Sequence, residues 1–173
     1  MDKDYTDEIV KEAKLGKKHA FKNLCEANFK KIYNLAYRML LKHEDATKVT
    51  SETFLDAWDN LKHLRSDQKF DTWIKSIAIY KILDKARIGK GSKLFSKSHD
   101  NDIPDLDNVE TKNIVELLIM SQPKMERIVY ILHDIEEYSS QEISDFIDGL
   151  TIKQITTIVR KTRENLIEAI KYA

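Results

Sequence analysis

The residues best suited to chemistry lie near the end of the chain. Lys153, Gln154, Thr156, Thr157, Arg160 and Lys161 share one side of a helical pattern whose other side carries Ile152, Ile155, Ile158, Val159, Leu166 and Ile170. Amides, hydroxyls and cations spaced this way are the donors that read base edges and hold phosphates in a major groove. Upstream, Ser139-Ser140-Gln141-Glu142 and Thr151-Ile152-Lys153-Gln154 each place a hydroxyl three residues before a Glu or Gln. That reciprocal pattern starts a helix. Between them, Gly149 can take the positive φ that closes one. A short helix, a glycine turn and a longer helix make a helix-turn-helix.

Catalytic and metal chemistry find no comparable arrangement. His19, His43, His63, His99 and His133 are scattered, with no His-Glu-x-x-His among them. Cys25 stands alone, without the spacing of a thiolate metal site, and reads as a small buried hydrophobe. Gly89-Lys90-Gly91-Ser92-Lys93 follows no strand and lacks the Walker spacing, so it reads as flexible basic chain. The expectation is a protein that is not an enzyme and holds no metal or cofactor.

What positions the candidate face is helical. The chain has 173 residues with only four Gly and two Pro, too few for a fold that turns every 8–12 residues or so. Charged residues make up 34% and hydrophobic ones 42%, too apolar a balance for disorder. No apolar run approaches the roughly 20 residues that span a bilayer, so no membrane insertion is expected. The charged start, Met1 to Tyr5, is not a signal peptide, and one cysteine excludes a disulfide framework. The cytoplasm is the expected compartment.

Ile32, Leu35, Ala36, Met39 and Leu40 follow a single buried helical face. Shorter helical pieces precede them, over Ile9–Leu15 and Phe21–Leu24. Val49, Thr53, Ala57 and Leu61, with Phe54 and Trp58, form a second stripe that Asp45 is placed to cap. Phe70, Trp73, Ile77 and Leu83, with Ile74 and Ala78, form a third, ending near Arg87. Residues 88–111 then lose the apolar period and collect Gly, Ser, Pro and Asp, which reads as a flexible linker. Helical pattern resumes over 112–121, 123–135, 140–147 and 152–171. Two small all-α domains follow, 1–87 and 112–173, joined by that linker.

Net charge is zero, but it is distributed unevenly. Residues 112–150 carry three basic and eight acidic side chains, whereas 151–173 carry five basic and two acidic. A basic final helix on an acidic small domain is a local field that steers an anionic partner. A neutral chain has few cations with which to release counterions, which argues against a protein that grips DNA unaided.

Three clusters in the first domain have a recognisable order: Tyr33-x-x-Ala36-Tyr37-Arg38, then Asp45-Ala46 leading to Glu52-Thr53-Phe54-x-x-Ala57-Trp58, then Phe70-x-x-Trp73-Ile74-x-x-Ile77-Ala78 with Leu83, Asp84 and Arg87. They resemble the promoter-melting domain of sigma-70-type transcription initiation factors. Tyr138-x-x-Gln141-Glu142-Ile143 and the final helix resemble the helix-turn-helix domain of the same factors. Two domains and a loose linker match their compact extracytoplasmic-function (ECF) group.

The resemblance implies a sigma factor whose partners are core RNA polymerase, promoter DNA and an anti-sigma factor. It assigns polymerase docking to the helix bearing Asp45, Val49, Glu52 and Asp56. It assigns DNA contact in the melting domain to Lys62, Arg65, Lys69, Trp73, Lys75, Ser76, Tyr80 and Arg87, with His63 in the loop that receives a flipped base. Stacking rings beside cations are the groups that hold unpaired bases. In the helix-turn-helix it assigns DNA contact to Ser139, Thr151, Lys153, Gln154, Thr156, Thr157, Arg160 and Lys161. The chain departs from the pattern at Thr47-Lys48, Ser51, Ser76, Ile79, Tyr80 and Thr156–Ile158, and Asp148 reads as an insertion in the turn. Two other readings stay open: an autonomous helix-turn-helix regulator, and a sigma-like protein that has lost promoter reading and acts through protein contacts.

Overall fold

The computed structural model describes residues 3–88 and 113–171, and every regular element among them is helical. In chain order these are α1 (Lys3–Lys14), α2 (Lys18–Leu40), α3 (His43–Asn60), a 3-10 turn (Leu61–His63), α4 (Phe70–Lys85), α5 (Ile114–Met120), α6 (Lys124–Tyr130) running into a π-helical segment (Ile131–Ile135), α7 (Ser140–Phe146) and α8 (Ile152–Lys171). They divide into two compact units, Met1–Tyr37 with His43–Ile82, and Arg38–Lys42 with Leu83–Ala173. The expected linker lies outside the described residues apart from Ile88.

In the first unit, the pieces expected at Phe21–Leu24 and Ile32–Leu40 belong to one long helix, α2. Nothing between them breaks a helix, and the buried Asn28 donates from its amide to the Leu24 carbonyl one turn back at 2.9 Å. α1 ends at Gly16, whose φ of 84° lets the Lys17 amide reach the Glu12 carbonyl and the Gly16 amide reach that of Ala13. This is the Schellman closure that glycine makes without steric penalty. α3 begins at His43, so Asp45 lies within its first turn instead of capping it. There its charge still complements the helix dipole. Buried Thr50 and Thr53 return their hydroxyls to the carbonyls of Ala46 and Val49, at 2.7 Å each. Phe21 joins the core by packing against Trp58 and Phe70, ring centroids 4.9 and 6.5 Å away.

In the second unit, α8 is the spine: α5, α6 and α7 all pack against it. Its buried stripe is Ile155, Val159, Thr162 and Leu166. Ile152 and Ile170, expected to face inward, are 46% and 45% exposed. They lie at the edge of the same face as the buried stripe, beyond the reach of the helices that pack against α8. The π-helical turn after α6 carries the wider i−5 bond from the Glu136 amide to the Ile131 carbonyl, 2.9 Å. It is followed by Glu137 at φ 61°. Arg127 is 1% exposed in this unit, and its guanidinium donates to the carbonyls of Met120 (3.3 Å), Gln122 (2.8 Å) and Met39 (3.2 Å). A buried cation is tolerated there because it meets carbonyls at helix ends, where the dipole is negative.

Ile88, assigned to the linker by composition, instead closes α4. Its amide reaches the Leu83 carbonyl at 3.0 Å, and both side chains are buried. The C′ residue of this Schellman motif is Arg87, at φ 58°.

Candidate nucleic-acid and polymerase interfaces

Three surfaces hold the candidate residues. The first is the outer side of α3. Asp56 is exposed and Asp45 and Glu52 are partly so, whereas Val49 is 2% exposed and faces the core. Val49 therefore supports the helix and is not part of its presented surface. Asp56 is paired with Lys81 of α4 at 2.7 Å. Leu55 stands beside it, 65% exposed. An apolar side chain flanked by acids suits docking onto a basic, partly apolar partner.

The second surface is α4 with the connection before it. Phe70, Ile74 and Ala78 are buried as their period requires, and Ile79 and Ile82 join them with no exposure. The buried side is thus rotated from the expected stripe, which turns Trp73 and Ile77 to its edge. Ile79, read as a departure at a DNA-facing position, is a core residue whose apolarity serves packing. Trp73, Ser76 and Tyr80 follow one another along a single face at the i, i+3, i+7 spacing, with Tyr80 51% exposed. The Trp73 ring lies 5.9 Å from that of Phe70 and is tilted to it, which leaves part of the indole to solvent. The Ser76 hydroxyl is turned back onto the Trp73 carbonyl at 2.7 Å. Lys62, His63, Arg65 and Lys69 are all exposed in the connection, and Lys75 is partly exposed on the helix. Arg65 pairs with Asp67 through Nε and Nη2, so its charge is partly neutralised in place. Arg87 is exposed past the end of α4.

The third surface is the helix-turn-helix. Both expected capping boxes form. At α7 the Glu142 amide donates to the Ser139 hydroxyl, and the Ser139 amide to the Glu142 carboxylate at 2.8 Å. At α8 the Gln154 amide donates to the Thr151 hydroxyl, and the Thr151 amide to Gln154 Oε1 at 2.9 Å. The Ser139 bonds hold the Glu142 carboxyl below its ordinary range. Capping thus occupies Ser139, Thr151 and Gln154. Gly149 in the turn has φ 82°. Lys153, Gln154, Thr156, Thr157, Arg160 and Lys161 are all exposed on α8 as expected. Thr156 and Thr157 return their hydroxyls to the carbonyls of Ile152 and Lys153. Arg160 pairs with Glu164 at 2.7 Å, whereas Lys161 stands in no ion pair among the described residues. Beneath this face, Tyr138 packs edge-on to Phe146, and burial together with Glu136 and Glu142 pushes its phenol up to about 12.

Among the described residues no group of His, Cys, Asp or Glu could hold a metal ion, and no helix is long and apolar enough to cross a membrane. Burial, with Glu26 beside it, pushes the Cys25 thiol up to about 11, the opposite of a reactive cysteine.

Residues 24–90 match the family description Sigma-70 region 2, a span that contains α3, the basic connection and the aromatic face of α4. The chain is also 27% identical to the ECF RNA polymerase sigma factor SigW of Bacillus subtilis (strain 168), over 91% of this chain and 92% of that protein. By sequence, therefore, this chain is similar to the sigma-70-type factors, in residues 24–90 through the family match and over most of its length through SigW. Its fold is shared with CnrH, solved in complex with the cytosolic domain of CnrY, at 20% identity and a TM-score of 0.59, covering 96% of this chain and 97% of that one. It is shared as well with the sigma factor RpoE of Bartonella quintana, solved with the anti-sigma factor NepR, at 17% identity and a TM-score of 0.55, covering 87% and 96%.

Several interactions of this chain had no signal in the sequence. Lys81 meets Asp56, Arg163 meets Asp134, and Lys14 meets the Leu64 carbonyl. Each joins elements far apart in the chain, and no periodicity predicts such a partner.

Proposed function

We propose that this chain works as a sigma factor that joins core RNA polymerase, recognises promoter DNA and helps to initiate transcription there. The observation that carries the reading is the placement of Trp73 and Tyr80 along one outward face of α4, beside the exposed cations of the connection before it. A ring with one open side and a nearby phosphate-binding cation hold an unpaired base, a task of no use to a protein that only reads duplex DNA.

The work divides by domain. Residues 1–87 bind polymerase and melt the promoter, with Asp45, Glu52 and Asp56 facing the polymerase and Lys62, Arg65, Lys69, Trp73, Lys75, Ser76, Tyr80 and Arg87 facing DNA. Residues 112–173 carry the helix-turn-helix, in which Lys153, Thr156, Thr157, Arg160 and Lys161 read or grip duplex DNA, and Ser139, Thr151 and Gln154 fix the helix starts that present them. Residues 88–111 connect the two. The contribution is binding and not covalent chemistry, and the site of action is the cytoplasm. An anti-sigma factor is the expected antagonist, because RpoE of Bartonella quintana was solved with one.

Run-off transcription from genomic fragments, with purified core polymerase and the full chain, tests the reading. New start sites that appear only with the added chain support it. Transcription no greater than that of core polymerase alone removes it.

A further inference from the structure

The 3-10 turn and the connection from it to α4 together carry four exposed basic or imidazole side chains, Lys62, His63, Arg65 and Lys69, yet little holds the connection in shape. Leu61 and Leu64 anchor one end, at 2% and 3% exposure, and Phe70 the other, also at 3%. The five residues between them, Arg65 to Lys69, are all exposed. Inside the connection there is one turn bond, from the Gln68 amide to the Arg65 carbonyl at 3.2 Å, and the Arg65–Asp67 pair. At its entrance Leu64 takes an extended conformation, φ −61° and ψ 119°, as the chain leaves the 3-10 turn.

That entrance is tied to α1. The Lys14 ammonium donates to the Leu64 carbonyl, fifty residues away in sequence, and α1 packs against the 3-10 turn. A lysine in the last turn of a helix ordinarily serves the carbonyls of its own helix. Here the carbonyls of Lys11, Glu12 and Ala13 accept backbone amides in the closure at Gly16, and the Lys14 side chain reaches elsewhere. A charge-assisted bond to a single carbonyl, in a part-buried setting, is stronger than a neutral one. It acts where the connection leaves the core.

We propose that Lys14 is a positioning residue: it holds the 62–69 connection in the shape that receives single-stranded DNA, without touching the DNA itself. The inference rests on the reading that this connection contacts unpaired bases. Fixing a loop before binding removes part of the ordering entropy that binding would otherwise meet.

The test uses the full chain assembled with core polymerase and a fluorescent single-stranded DNA oligonucleotide of randomised sequence, titrated at several salt concentrations. Three proteins are compared with the parent: Lys14→Met, Lys14→Arg, and the double variant Lys62→Ala with Lys69→Ala. Lys14→Met is expected to weaken binding about five- to ten-fold, in keeping with removal of a charge-assisted bond, and to leave the slope of log affinity against log salt unchanged. Lys14→Arg is expected to restore affinity. The double variant is expected to weaken binding and flatten the slope by about 0.7 for each phosphate no longer neutralised.

If the double variant binds as well as the parent, the reading of the connection fails, and this inference with it. If the double variant weakens binding and Lys14→Met does not, only the role of Lys14 fails. A flattened salt slope in Lys14→Met means that Lys14 itself meets phosphate, which also overturns positioning. If Lys14→Met melts below the assay temperature, Lys14→Gln, which is uncharged and one bond too short to make the same contact, takes its place under the same criteria.

Discussion

Arg163 of α8 grips Asp134 of the π-helical segment with two parallel bonds, Nε to Oδ2 at 2.7 Å and Nη2 to Oδ1 at 2.6 Å. His133 sits against the same carboxylate, Nδ1 to Oδ1 at 2.7 Å. Burial alone would raise the Asp134 carboxyl, but the Arg163 and His133 bonds outweigh it and hold the group below 3.8. A carboxyl depressed in the folded state adds stability above its unfolded pKa and loses it as pH falls through the folded one. Arg163→Gln should therefore melt at a lower temperature than the parent near neutral pH. The deficit should hold down to about pH 3.8, shrink below it, and vanish once pH has fallen through the lower value that Asp134 has in the fold. Thermal melts of both proteins across that range check this, and a pH-independent deficit would assign the effect of Arg163 to packing instead.

Thr162 occupies the buried stripe of α8 with a hydroxyl that has no hydrogen-bond partner among the described residues. Valine has nearly the same shape without the hydroxyl. Thr162→Val should stabilise the protein by about 1 kcal/mol, since removing an unsatisfied buried polar group recovers part of its desolvation penalty. Urea unfolding should show a higher midpoint at unchanged slope. A lower midpoint would mean that the hydroxyl is bonded in solution.

Arg87 combines backbone strain with a surface charge. A side chain at φ 58° is disfavoured by about 1 kcal/mol or more, and glycine relieves this while adding some unfolded-state entropy. Arg87→Gly should raise the melting temperature slightly. The same change should weaken DNA binding by the polymerase complex and flatten its salt dependence. Opposite movement of stability and affinity is the signature. If affinity is unchanged, Arg87 does not face DNA.

On the exposed face of α8, Arg160 shares its charge with Glu164 and Lys161 does not. Lys161→Ala should reduce the salt slope of upstream duplex binding by close to the full value of about 0.9 for one phosphate. Arg160→Ala should reduce it less, and Glu164→Gln should strengthen binding. Footprinting of the polymerase complex at several salt concentrations separates the three.

Much of this molecule could be read without coordinates because its signals are local. A hydroxyl three residues before Glu142 or Gln154 creates its bond inside one turn, so both capping boxes appear where the spacing puts them. The exposure of Lys153, Gln154, Thr156, Thr157, Arg160 and Lys161 follows in the same way, since a 3.6-residue period needs only one buried side to assign the other. The ends of that period were less legible. Ile152 and Ile170 have the right chemistry for the core, and only the extent of what packs against α8 leaves them outside. The rotation of α4 has a similar origin. Its apolar residues are not confined to one side, since Lys75, Ser76 and Lys81 alternate with Ile74, Ile77 and Ile82, so the pattern left Trp73 and Ile79 both eligible for burial. Ile79 takes the core, and the larger ring, which buries less completely, stands at the edge.

The order of residues determined by itself the helical class, the helix starts, the glycine turns and the resemblance to sigma-70-type factors, because each depends on neighbours within a turn or on motif order. Which side of α4 faces solvent, why Val49 is hidden and what Lys14, Arg163 and Arg127 hold were decided by the folded arrangement. Those outcomes depend on partners tens of residues away. A cation carries no mark of the carbonyl or carboxylate it will meet until packing brings the two within about 3 Å.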